Sequence, residues 1–176
     1  MSERIHLIGI SELLVALQGI GAEGVVVPWG KTNQLAGEAD VSIALIELFK
    51  SGHIVEGDSG AFEFSGWLGC LIRAMQEAAV TLVATRRVSG QVQFCIYISE
   101  DEESALVALD EGTHELLKVI LFDSAELLDV CEGFIAEDAY AYVMRKGMGV
   151  NERMEEVVLD EKGVIHVLEG VTNDNR

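Results

Sequence analysis

Apolar residues recur at positions 10, 13, 14 and 17 of the segment ISELLVAL, the three- and four-residue spacing that gathers side chains on one face of a helix. Ser11 is available as a cap, and Gly19 marks the expected end. Gly21, Gly24, Pro28 and Gly30 then punctuate a connector whose β-branched run, Val25-Val26-Val27, reads as extended. A second helix, opening at or just before Asp40, carries Val41, Ala44, Leu45, Leu48 and Phe49 on one stripe and stops at Gly52. Ile54-Val55 and Phe62-Phe64 flank Gly57-Asp58-Ser59-Gly60, a short hairpin or wing pattern. Ser65 caps a third helix with a wide apolar face of Trp67, Leu68, Leu71, Ile72 and Met75.

From position 79 the period changes to two. Val80, Leu82 and Ala84 alternate with Thr81, Val83 and Thr85, and after the turn pair Ser89-Gly90 the alternation resumes at Val92, Phe94, Ile96 and Ile98, which predicts an antiparallel hairpin over 79–99. Further strands are expected over 104–109 and 116–122, then a helix capped by Asp123 or Ser124 and running through Cys131. Residues 134–155 show no legible period. Residues 157–160 and 164–168, joined across Glu161-Lys162-Gly163, predict a closing hairpin, and 171–176 a disordered polar tail. The elements add up to an α+β fold, an antiparallel sheet flanked by helices, in a single domain over 1–170.

Composition narrows the function classes. The sequence is 49% apolar with a mean hydropathy of +0.29, yet no uninterrupted apolar run approaches the roughly 20 residues of a membrane helix, and the N-terminus carries no cleavable leader pattern. A cytoplasmic protein with no membrane partner is the expectation. Thirty acidic residues face 12 basic ones, for a formal charge of −18. Between Glu100 and Asp138 the ratio is 13 to one. Such a field repels phosphate backbones and argues against a nucleic acid partner. Cys70, Cys95 and Cys131 are widely spaced, without ligand or disulfide pattern, and read as reduced core thiols.

Candidate chemistry adds little. Gly19-Ile20-Gly21-Ala22-Glu23-Gly24 matches GxGxxG, but a helix precedes it and Val-Val-Val-Pro follows, the reverse of the strand-to-helix context that a dinucleotide needs. His114-Glu115 begins a zincin-like string whose second ligand position holds Lys118. Glu100-Asp101-Glu102-Glu103 lacks the alternation and glycine of a calcium loop. No catalytic, metal or cofactor site is expected, so the chain reads as a binding protein and not an enzyme. Two features point to interaction: Trp29, an aromatic in a Gly/Pro-rich connector, and the half-polar strand face of Thr81, Val83, Thr85, Gln93, Cys95 and Tyr97, one side of a sheet open for docking. From these, Trp29, Val83, Cys95 and Tyr97 are the expected partner-binding residues.

The order of elements, with ISELLVAL, the helix end LIELFKSGHI, the segment FEFSGWLGCLIRAM and the strands that follow, resembles the EspG family over about residues 5–125. That resemblance implies a cytosolic chaperone of type VII secretion, with a sheet flanked by helical bundles, that keeps a secreted helical client soluble. Two alternatives stay open: a winged-helix-like protein-interaction module, and a small enzyme with a nonlocal acid/base site using His114 or His53 beside a carboxylate.

Overall fold

The computed structural model describes residues 5–22, 25, 27, 29, 37–58, 60–87, 89–99, 103–110, 112–113, 115–132, 139–145, 155–158 and 166. In chain order its elements are β1 His6–Gly9, α1 Ile10–Gly19, α2 Gly37–Lys50, β2 Ile54–Glu56, β3 Phe62–Phe64, α3 Gly66–Glu77, β4 Val80–Arg86, β5 Val92–Ile98, β6 Ser104–Leu109, β7 Leu116–Phe122, α4 Leu127–Glu132 after a 3₁₀ turn at Ser124–Glu126, β8 Ala139–Arg145 and β9 Glu155–Val158.

Seven strands form one antiparallel sheet in the order β1-β7-β6-β5-β4-β8-β9, while β2 and β3 pair separately. The centre is a meander, β4 to β7, in which each strand pairs with the next. β1 joins the outer side of β7, and β8 and β9 extend the sheet beyond β4. The chain is therefore α+β, with short local connections in the middle and longer returns at both edges.

Both faces of the sheet are buried. On one, Leu82, Phe94, Ile96, Leu106 and Ile120 pack with Leu127, Val130 and Cys131 of α4. On the other, Cys95, Tyr97, Val107, Leu117 and Val119 pack with Leu13 and Leu17 of α1 and Leu68, Leu71 and Ile72 of α3. Each large side chain removed from water in these layers contributes about 1.5–3 kcal/mol. α3 lies across β5, β6 and β7, α1 packs on α2, and α2 packs also on β2. The helices on this face thus form a layer in which α2 is outermost.

Local chemistry accounts for most element ends. Gly52 takes φ 73° after α2, where an L side chain would be strained. Ser65 precedes α3 as its cap residue, but its hydroxyl donates to the Gly52 carbonyl at 2.6 Å and fastens the start of α3 to the end of α2. α1 starts one residue before Ser11: its cap is Gly9, whose N–H donates to the Glu12 carboxylate at 3.4 Å. β9 pairs with β8, and the expected partner segment 164–168 lies outside the described residues except for His166, which is helical. The expected tail, 171–176, lies outside the described residues. Among the described residues, no helix is long and apolar enough to cross a membrane.

Candidate protein-docking surface

α2 was expected to carry one apolar stripe, and the stripe divides. Ala44 and Leu48 are buried against the rest of the fold, whereas Leu45 and Phe49 are exposed, together with Ile43 at 60% and Ile46 at 50%. At about 100° per residue, Ile46 lies roughly opposite Ala44 and Leu48. The helix therefore presents apolar residues to the core and to solvent. Apolar residues on two faces of one helix fit a helix that is covered on both.

The hairpin after α2 extends this surface. Phe62, 69% exposed, meets Phe49 edge-on with ring centroids 5.3 Å apart. Backbone bonds hold the hairpin against the helix end: His53 N–H donates to Leu48 O at 2.9 Å, and Ser65 N–H to His53 O at 2.9 Å. Ser51 Oγ donates to Glu47 O at 2.8 Å. A rigid apolar ridge results, built from two adjacent elements.

Beside the ridge opens a cleft of about 580 Å³ between the β1–α1 junction, α2 and the start of β7. Ile43 and Leu116 line its apolar part, and Glu12, Asp40, Glu47 and Glu115 its acidic part. Ile43 belongs to both cleft and ridge, which makes the two surfaces continuous. Glu47 is engaged by Lys50 at 3.0 Å, and Glu12 by the Gly9 N–H. The side chains of Asp40 and Glu115 make no hydrogen bond or ion pair among the described residues.

Three rings meet nearby. His6 stacks on Trp67 at 4.7 Å with planes 9° apart, and His53 meets the same indole edge-on at 4.8 Å. Burial lowers the His53 pKa, partly offset by the negative charge of Glu12. This packing ties β1, α3 and the end of α2 together. Of the two histidines considered for acid/base chemistry, His53 is occupied in this way and His114 lies outside the described residues. No group of three His, Cys, Asp or Glu able to hold a metal occurs among the described residues.

The strand face expected to be open is closed at Cys95, Tyr97 and Thr85 and only partly covered at Thr81, Val83 and Gln93. Cys95 is 0% and Tyr97 1% exposed, both in the layer beneath the helices, where burial pushes both pKa values up. Val83 and Trp29 are half-buried and pack against the same cluster, and the indole Nε1 is itself buried. Thr85 is 5% exposed. A partner cannot reach Cys95 or Tyr97 without displacing α3. The reason is geometric: the apolar stripes of α1 and α3 need a sheet face to cover, and this half-polar one receives them.

Sequence reasoning missed the solvent side of α2. Its signal was present: Val41, Ile43, Ala44, Leu45, Ile46, Leu48 and Phe49 span more of the helical circumference than a single buried stripe requires. No family model matches this sequence, and no curated protein matches it either.

Proposed function

We propose that this chain is a non-catalytic protein-binding chaperone or adaptor that acts in the cytoplasm and shields a helical client, in line with the resemblance to the type VII secretion chaperones of the EspG family. What carries the reading is the outward face of α2, where Ile43, Ile46 and Phe49 join Phe62 in an exposed apolar ridge. A monomer gains nothing by leaving such a ridge in water, whereas a protein that covers apolar helical surface on a client needs one. The rigid hydrogen-bonded frame beneath it keeps the ridge formed before the client arrives, which lowers the ordering cost of binding.

The test is affinity purification from the native host with the wild-type chain and with Ile46→Asp/Phe62→Asp. A secreted, mainly helical protein should co-purify with the wild type and be lost from the double variant. Recovery of the wild type alone, or of the same partners with both proteins, would overturn the reading.

A further inference from the structure

Resting on that docking reading, we propose that the cleft beside α2 selects the client by charge, and that its occupant is an amphipathic helix carrying lysine or arginine beside its apolar stripe. Two observations converge at α2. The ridge of Ile43, Ile46 and Phe49 repeats every three residues over about 9 Å, the spacing into which the side chains of a second helix interdigitate. Next to it, sharing Ile43, lies the cleft with Glu12, Asp40, Glu47 and Glu115 on its walls and no basic residue among the described residues of its lining.

Charge complementarity then decides among occupants. A second copy of this chain would bring another formal −18 to a surface that is itself acidic, and acidic lipid or nucleic acid meets the same repulsion. An uncharged apolar helix would cover the ridge but leave the carboxylates to be desolvated without compensation. A helix with a cationic flank satisfies both surfaces at once: its apolar side chains cover Ile43, Ile46 and Phe49, while an ammonium or guanidinium enters between Asp40 and Glu115. Glu47, held by Lys50 at 3.0 Å, becomes available to the ligand when that exposed pair opens, which costs little. Electrostatic attraction of this kind sets partner choice and association rate more than gross affinity.

The experiment uses the full chain and two synthetic 18-residue helix-forming peptides, identical in their leucine stripe but flanked by lysines in one and glutamates in the other. Binding is read by fluorescence anisotropy. Three variants are compared: Asp40→Asn/Glu47→Gln/Glu115→Gln in the cleft; Glu77→Gln/Glu103→Gln/Asp129→Asn, which removes the same net charge from exposed positions elsewhere; and Ile46→Asp on the ridge. The wild type should bind the lysine peptide and not the glutamate peptide. The cleft variant should weaken that binding about tenfold, and the distant variant less than about twofold. Equal weakening by the two neutralised variants, with Ile46→Asp still abolishing binding, would overturn charge selection by the cleft and leave the docking reading standing. Unchanged binding in Ile46→Asp, or no binding of the lysine peptide, would overturn both. Far-ultraviolet circular dichroism establishes that each variant is folded. If the cleft variant is not, Asp40→Asn and Glu115→Gln singly replace it, each expected to weaken binding several-fold.

Discussion

Cys131, on α4 against the sheet, is 1% exposed, and loss of hydration pushes its thiol up to about 11 from an ordinary value of 9.0. Because the folded pKa lies above the unfolded one, its contribution to stability is complete below pH 9 and is lost as pH rises toward 11. Urea unfolding at pH 8 and pH 10.5 should show a loss, shared with the more deeply buried Cys95, of which Cys131 accounts for about 2 kcal/mol that Cys131→Ala removes; an identical pH slope in wild type and variant would refute the assignment. Cys95 is deeper still, whereas Cys70 is half-exposed, with Arg73 Nη2 3.4 Å from its sulfur. A thiol reagent should therefore modify one cysteine per native chain, slowly because burial and Glu103 also raise the Cys70 pKa, and Cys70→Ser should abolish that reaction. At this scale the sequence was legible for Cys95 and Cys131 as core thiols but not for Cys70, which the same reading placed in the core and which is half-exposed. It was not legible for Cys95 and Tyr97 as partner residues, since a polar-looking alternation says which residues share a face and not whether a helix covers it.

Among the elements, α2 separates two kinds of apolar residue that look alike in sequence. Leu48 is 0% exposed and Ile46 50%, so Leu48→Ala should cost about 2–5 kcal/mol of stability, whereas Ile46→Asp should stay within about 0.5 kcal/mol while removing client binding. Chemical denaturation measures both, and a large stability loss in Ile46→Asp would mean that this face is part of the fold and not a docking surface. Gly69 fixes the neighbouring element: a Cβ there would stand 2.7 Å from the Phe64 carbonyl oxygen, so α3 and β3 meet backbone to side-chain position with no room for a methyl group. The elements from α1 to β7 could be anticipated because their periods are clean and their stops are Gly, Ser and Asp. β1 and β8 could not. HLIG is too short to show alternation, and AYAYVMR becomes a strand through its pairing with β4, a partner more than 50 positions earlier in the chain.

For the molecule as a whole, the pairing of β4 with β5 was written in the Ser89-Gly90 turn, but the pairings of β6 with its neighbours and the edge order were not: β1 against β7 and β8 against β4 are long-range choices that no local period encodes. Nor did alternation reveal that helices cover both faces, because each face carries enough apolar area to bury. The charge distribution, by contrast, is a property of the sequence that acts on the entire fold and gives opposite signs for its two roles. A formal charge of −18 repels itself more strongly in the compact state than in the expanded chain, so salt that screens it should stabilise the fold. Close pairs oppose this only weakly, because most are exposed; Lys118 to Asp110 at 2.8 Å is the tightest among the described lysine and arginine pairs. A gain of about 1 kcal/mol between 0.05 M and 0.5 M NaCl would raise the melting temperature by about 2–4 °C. The same screening should weaken attachment of a cationic helix at the acidic cleft. Calorimetry and binding titrations on one salt series therefore make a paired test: stability rises while affinity for the lysine-flanked peptide falls. A melting temperature that drops with salt would show that attractive pairs outweigh the net repulsion, and an affinity that holds steady would show that apolar burial on α2 carries recognition without the cleft.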